Sequence, residues 1–511
     1  MSRFKRFADS LVSGYVLLAA NILYTLASVP LALHYLSLEE YGLWGLVTQV
    51  CNFNQILIDL GMSGAIARIL IDHKDDREST AYGTVIQTGF LVLLVQGVLI
   101  AVIGGLLSYW LPQWMDVPLK NWQVFRVLVS WQCVMLAVSF ALRIFTFILH
   151  SHQRYDICNY AQLACFGLGL IALWLSFEAR LGLYSLLVSG AVSVMVMGIS
   201  CGWATRRLRL FPVPGRWGKP NWRAFKDLFA YGTDLFLATI GLQLITASQT
   251  PVIARTLGLE AVGVWSVATK LFMLSQQLVY RLLDFSTAAF SEMMVRGEQV
   301  RLQQRFRELV ILSGSASVAV GFTMALCNQA FLTVWTPSIS WAIENDMLMA
   351  CSLVVYSCTR CHVGLAYMTK QIRAMKYIYL GEGVAFVALG LLVAPRLGLG
   401  GVILSGIVTN LIFTGCYGLH RSKAYFGTSV KELLFDWWKR PAYVLLIMMM
   451  MGSLLWFTLR SLPPLAQLGI GGSIMGITAG FTLWKFGLPE TLRKESGERF
   501  LRLRARLLAG E

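Results

Sequence analysis

Pro30 to Thr48 reads PLALHYLSLEEYGLWGLVT, and Pro251 to Thr269 reads PVIARTLGLEAVGVWSVAT. Proline, two leucines, glutamate, glycine, tryptophan and threonine coincide, seven of nineteen positions at an ungapped offset of 221 residues. A second pair, RLGLYSLLVSG (Arg180 to Gly190) and RLGLGGVILSG (Arg396 to Gly406), lies 216 residues apart. Two nearly equal offsets in one chain mean a duplicated unit of about 220 residues.

With 56% hydrophobic and 14% charged residues and a mean hydropathy of +0.62, the chain is too apolar for a soluble domain. Charge-free runs recur at 157–177, 181–205, 397–419, 442–459 and 461–484. Each is close to the roughly 20 residues that cross a bilayer as a helix. In hydrocarbon the backbone must bond to itself, which a helix does within each segment. The expected fold is an all-α polytopic membrane protein of fourteen spans: 11–36, 41–66, 82–111, 123–150, 156–178, 181–204, 228–256, 261–290, 306–335, 342–369, 375–395, 398–420, 441–459 and 464–485.

The net charge of +16 reports topology before it reports a partner. Of 43 lysines and arginines, 33 fall on one side of this arrangement: the N-terminus, alternate loops and the C-terminal tail. Six lie at opposite ends of spans and four within them (Arg143, Lys270, Arg281, Arg360). The bias puts both termini in the cytoplasm, with anionic lipid headgroups as a secondary partner for the basic face and no role for nucleic acid. The apolar run from Leu11 is too long for a cleaved signal sequence. The ten cysteines lie mostly in apolar spans without CxxC spacing, so they read as small core residues rather than disulfide or metal ligands.

Arg206 to Lys226, with three prolines and seven basic residues, separates the halves. The expected organisation is a six-helix N-terminal lobe (1–205), a basic cytoplasmic linker (206–226), a six-helix C-terminal lobe (227–422), two additional helices (423–486) and a basic tail (487–511). Six is even, so the lobes are parallel repeats about an axis along the membrane normal. Gly472, Gly476 and Gly480 form a small-residue packing face on the last span. Nucleotide-binding loops, HExxH and nucleophile elbows are absent from the sequence, so it encodes no ATP-driven pump, calls for no cofactor, and reads as a non-enzyme.

Charge within a span is costly and normally faces a cavity or a partner. Arg143 and Arg360 lie 217 residues apart, at matching places in the halves, and the repeat counterpart of Lys270 is Gln49. On helical geometry Lys270, Gln277, Arg281 and Asp284 fall within about 60° of one another, and Gln49, Asn52, Gln55 and Asp59 within about 120°. Arg143, Lys270 and Arg360 are thus candidate cavity cations for a polyanionic ligand, with Gln49, Asn52, Gln55 and Gln277 as polar lining. Asp59, Asp234, Arg281, Asp284 and Glu382 are candidates for gating or for coupling to H+ or Na+. The alternatives are snorkelling for Arg143, an Arg281–Asp284 structural pair, a helix-packing contact at Asp59, and solvated helix ends for Asp234 and Glu382.

SGYVLLAANILYTLASVPLALHYLSLEEYGLWGLV (Ser13 to Val47) followed by IDLGMSGAIAR (Ile58 to Arg68) resembles bacterial polysaccharide-biosynthesis membrane proteins, the Wzx-type oligosaccharide flippases of the multidrug, oligosaccharidyl-lipid and polysaccharide exporter superfamily. The resemblance implies translocation of a polyprenyl-diphosphate-linked oligosaccharide across the bacterial inner membrane by alternating access, for O-antigen, exopolysaccharide or capsule synthesis. A cationic cavity would be supplied here by Arg143, Lys270 and Arg360, and polymerase and glycosyltransferases are the partners to expect. The competing readings are a small-molecule antiporter of the same superfamily and a non-transporting membrane subunit of a polysaccharide synthase complex.

Overall fold

The computed structural model describes residues 3–74, 79–337, 339–369, 374–488 and 493, with the side chains of residues 3–12 and of a few others, Asp234 among them, outside the description. Among the described residues there is no strand, and ten helical segments are long and apolar enough to cross a membrane. The chain divides into two compact units, Met1–Ser266 and Val267–Glu511.

The first unit holds α1 (Arg3–Tyr35), α2 (Leu38–Asp59), α3 (Met62–His73), α4 (Thr80–Trp114), α5 (Trp122–Ser151), α6 (Tyr155–Glu178), α7 (Tyr184–Arg207), α8 (Trp222–Thr246), α9 (Gln249–Leu257) and most of α10 (Leu259–Ala268). Ser37 starts α2 with a capping box, its hydroxyl accepting from Glu40 N while the Glu40 carboxylate accepts from Ser37 N at 2.8 Å. The expected second span, 41–66, is broken. Leu60 and Gly61 take left-handed backbone (φ 48° and 72°), and α3 starts afresh at Met62. A Cβ on Gly61 would run into the Gly232 carbonyl of α8, so glycine is needed there both for its φ and for the close approach. Gln96 of α4 donates to the carbonyls freed at the break, Ile58 O at 2.9 Å and Asp59 O at 2.8 Å.

Between helices in lipid, apolar surface gains little by meeting apolar surface, so packing depends on close approach. Gly97 and Gly104 of α4 let Ala137 and Cys133 of α5 in. The repeated stretch makes the closest contact of this kind. A Cβ on Gly42 would overlap the Leu259 carbonyl, and one on its repeat partner Gly263 would overlap the Leu38 carbonyl. The two copies therefore touch reciprocally through equivalent residues, as a local two-fold requires. Trp265, the tryptophan shared by the two copies, is buried in this unit.

The basic connector 208–221 lies along the start of α4. Tyr82 Oη donates to Leu210 O at 3.1 Å, Asn221 N donates to Thr88 Oγ1 at 3.2 Å, and a Cβ on Gly83 would strike the Trp217 backbone. The contact boundary falls at Ser266/Val267 rather than at this connector, because α8 packs on α3 and α4 and α9 on α2.

The second unit contains α11 (Lys270–Val295), α12 (Gln299–Trp335), α13 (Ile343–Met368), α14 (Met375–Asn410), α15 (Cys416–Phe426), α16 (Lys439–Leu459), α17 (Pro464–Ala466) and α18 (Gly472–Thr482), with π-helical turns at 411–415, 432–436, 467–471 and 483–487. The chain folds back at Gly398 (φ 61°), three residues after Pro395. Gly381 faces Phe413, Gly406 faces Phe386 and Gly401 faces Ala394, so the two sides form an antiparallel helical hairpin. This agrees with expected spans at 375–395 and 398–420, although residues 375–426 form one continuous apolar segment. The three expected spans outside the ten segments are 41–66, 228–256 and 261–290, and each is broken in the structure. The two additional helices α16 and α18 pack on α12, where Val444, Met448, Leu455 and Met475 bury against Val318, Phe322 and Ala325. The glycine face expected on α18 is only partly used: Gly472 lies against Cys327, whereas a Cβ on Gly476 or Gly480 would meet nothing within 4 Å.

Candidate functional site

In the first unit Gln49, Asn52, Gln55 and Asp59 are all half-buried on α2. Asp59 ends α2, and its carboxylate accepts from Ser63 N at 3.3 Å and from Ser63 Oγ, capping α3 across the break. Arg143 of α5, also half-buried, places its guanidinium carbon 4.1 Å over the Phe140 ring, and Asp59 is the acid whose field reaches it. Asn54, which sequence reasoning passed over, is fully buried and donates to Ile100 O at 2.9 Å and towards Cys133 Sγ.

In the second unit Lys270 opens α11 immediately after a break at Thr269, so its half-buried position follows a discontinuity rather than sitting within one long helix. Gln277 and Arg281 are exposed on α11. The pair expected between Arg281 and Asp284 does not form. Asp284 Oδ1 instead accepts from Arg360 Nη2 at 2.9 Å, with both side chains about two-fifths exposed. Arg360 also stacks its guanidinium 4.4 Å over Tyr280. Its charge is therefore compensated, so this candidate cavity cation carries an acidic partner of its own. The two units repeat one arrangement: an arginine of α5 or α13 lies over an aromatic ring and near an acid of α2 or α11.

Glu382 departs most from its expected setting. It is fully buried rather than solvated, and accepts from Asn410 Nδ2 at 3.0 Å, from Thr414 N at 3.2 Å and from Thr414 Oγ1. The π-helical turn 411–415 presents Thr414 to it. Asp234 lies outside the described residues. The apolar grooves of the first unit, one of ≈430 Å³ lined by Leu60, Val92, Gln96 and Phe225, contain none of the candidate cations.

Chemically, a half-exposed guanidinium that gives one N–H to an aspartate keeps others for a second oxyanion. An exposed ion pair contributes about 1 kcal/mol or less, so a multiply charged phosphate can displace or share it. Among the described residues no group of three or more histidines, cysteines or acids is arranged to hold a metal ion.

This is the helical fold of the MATE and MurJ transporters. A multidrug resistance MATE family transporter of the MOP superfamily, in its inward-facing conformation, superposes with a TM-score of 0.69 at 16% identity, over 80% of this chain and 96% of that one. The lipid II flippase MurJ, inward closed, gives 0.64 at 12% identity over 90% and 99%. A MOP superfamily transporter from Pyrococcus furiosus, described as having a binding pocket of reverse polarity, gives 0.59 at 15% over 83% and 97%. No curated protein matches the chain. Residues 34–342 match the family of polysaccharide biosynthesis proteins, and the chain belongs to that family. It is a multi-pass membrane protein.

Proposed function

We propose that this protein is a flippase, not an enzyme, that carries a polyprenyl-diphosphate-linked oligosaccharide across the bacterial cytoplasmic membrane by alternating access, with both termini in the cytoplasm. Arg143, Lys270 and Arg360 receive the diphosphate, while Gln49, Asn52, Gln55 and Gln277 offer hydrogen bonds to sugar hydroxyls. The observation that carries this reading is that each unit holds basic side chains, half-buried or about two-fifths exposed, on helices of its membrane-spanning part. Membership of a polysaccharide biosynthesis family and a fold shared with a lipid II flippase support it. A bare diphosphate in hydrocarbon costs many kcal/mol. Guanidinium and ammonium groups replace its hydration with charge-assisted hydrogen bonds, while the polyprenyl chain stays in lipid. Asp284 holds Arg360 when no phosphate is bound and yields it when one arrives, while Asp59 lends Arg143 an opposite charge without bonding to it.

The test is polymer export. Arg360→Ala, and separately Lys270→Ala, abolish export while protein level and membrane insertion stay normal. Wild-type output from the double variant would remove the cations from the site. Transport of a cationic dye, with export unaffected, would favour a small-molecule antiporter, a reading that the MATE likeness keeps in view.

A further inference from the structure

The second unit holds a carboxyl that neither the site nor the sequence reading uses. Asp346, in the first turn of α13, is 0% exposed. Its Oδ1 accepts from Trp341 Nε1 at 2.8 Å and from Asn328 Nδ2 of α12 at 2.6 Å. Asn328, also 0% exposed, gives its other N–H to Ala268 O at 3.2 Å, the last carbonyl before the break at Thr269. Both amide donors go to acceptors, which fixes which end of Asn328 is nitrogen. Asn328 Oδ1 and Asp346 Oδ2 are then left buried without a donor among the described residues. Two orphaned acceptors on bonded neighbours lack one donor between them, and a buried unpaired oxygen of this kind is costly.

We propose that Asp346 is a proton-binding site. A proton on Oδ2 supplies the missing donor, and a carboxylic acid and a carboxamide then form their cyclic pair: amide N–H to one acid oxygen, acid O–H to the amide oxygen. The first of these bonds is the 2.6 Å contact already present. Among the described residues no charge competes for the group. Lys270 of α11 and Glu344 on the same helix make no ion pair with Asp346, and α12 and α14 bring none to it. A hard metal cation takes about six oxygens, more than the two acceptors here provide, so a proton fits better. Releasing the proton sets two lone-pair oxygens against each other in a buried site, and turning Asn328 away relieves this while freeing Ala268 O. The head of α11, two residues on, carries Lys270. Proton uptake is therefore linked to the placement of Lys270. Only this last step rests on the flippase reading.

The test is infrared difference spectroscopy on the full chain in lipid nanodiscs. At neutral pH the wild type shows a protonated-carboxyl C=O band that Asp346→Asn lacks, and the variant melts like wild type because its amide gives Asn328 the same donor. If Asp346→Asn fails to fold, Asp346→Glu shifts that band instead. Spectra unchanged by both substitutions would overturn the proposal. In proteoliposomes carrying a fluorescent polyprenyl-diphosphate oligosaccharide, a pH gradient raises the wild-type rate about fivefold or more and leaves the Asp346→Asn rate unchanged. Stimulation by a sodium gradient that needs Asp346 would overturn the proton assignment. No flipping by wild type would refute the flippase reading while the infrared result still decides the proton site.

Discussion

Gly42→Ala tests whether the repeated stretch is a structural contact between its two copies. The added methyl would overlap the Leu259 carbonyl oxygen and come within 2.9 Å of Gly263 N, where ordinary contact begins near 3.4 Å. Every atom it meets is backbone, so no side chain can swing away. The two helices must part by about half an ångström at the nitrogen, and by more at the oxygen. Overpacking of this kind costs about 1–3 kcal/mol or more, against roughly 1 kcal/mol gained from alanine's helix propensity. The expected net loss is about 1 kcal/mol or more, read as a lower melting temperature of the purified protein in detergent. Gly476→Ala is the matched control, because a Cβ there meets nothing within 4 Å. That variant should be neutral or gain about 0.5–1 kcal/mol. If Gly42→Ala proves as stable as Gly476→Ala, the reciprocal contact does not exist.

Two further predictions follow from single side chains. Asn54→Ala leaves the Ile100 carbonyl without its side-chain donor in a buried site, and should cost about 2 kcal/mol in the same melting assay. Asp284→Asn removes the counter-charge of Arg360 at an exposed pair, so stability should change by less than about 1 kcal/mol, while affinity for a diphosphate lipid, measured by fluorescence anisotropy, rises.

The helical, membrane-spanning class was legible because apolar runs of bilayer length leave the backbone no other solution. The duplication was legible because one stretch still carries seven identities in nineteen. The helix breaks were not. Leu60 and Thr269 are ordinary helix-compatible residues and Gly61 is the one local mark of a break, while distant amides, Gln96 and Asn328, take up the freed carbonyls. Lysine and arginine placement in the sequence points to Arg143, Lys270 and Arg360, and the acids Asp59, Asp234, Asp284 and Glu382 stand out within spans. Asp346, however, sits only four residues into the expected span 342–369, where an acid reads as a solvated helix start. Partners were harder still. Asp284 lies three residues from Arg281, the spacing of a local pair, yet it bonds to Arg360, 76 residues away, and nothing local in the sequence encodes that choice. Glu382 was placed by its nearness to a helix end, but the hairpin that turns at Gly398 carries Asn410 and Thr414 round to enclose it.

The meeting of Gly42 with Gly263 bears on how such a chain can drift over time. A substitution in either copy alone pushes on the other copy's main chain, so neither can enlarge without a matching retreat opposite. Elsewhere in the fold each half is free to lose its likeness to its twin, and for the most part has done so. The ancestral duplication stays readable at the seam where the descendants still lean on one another.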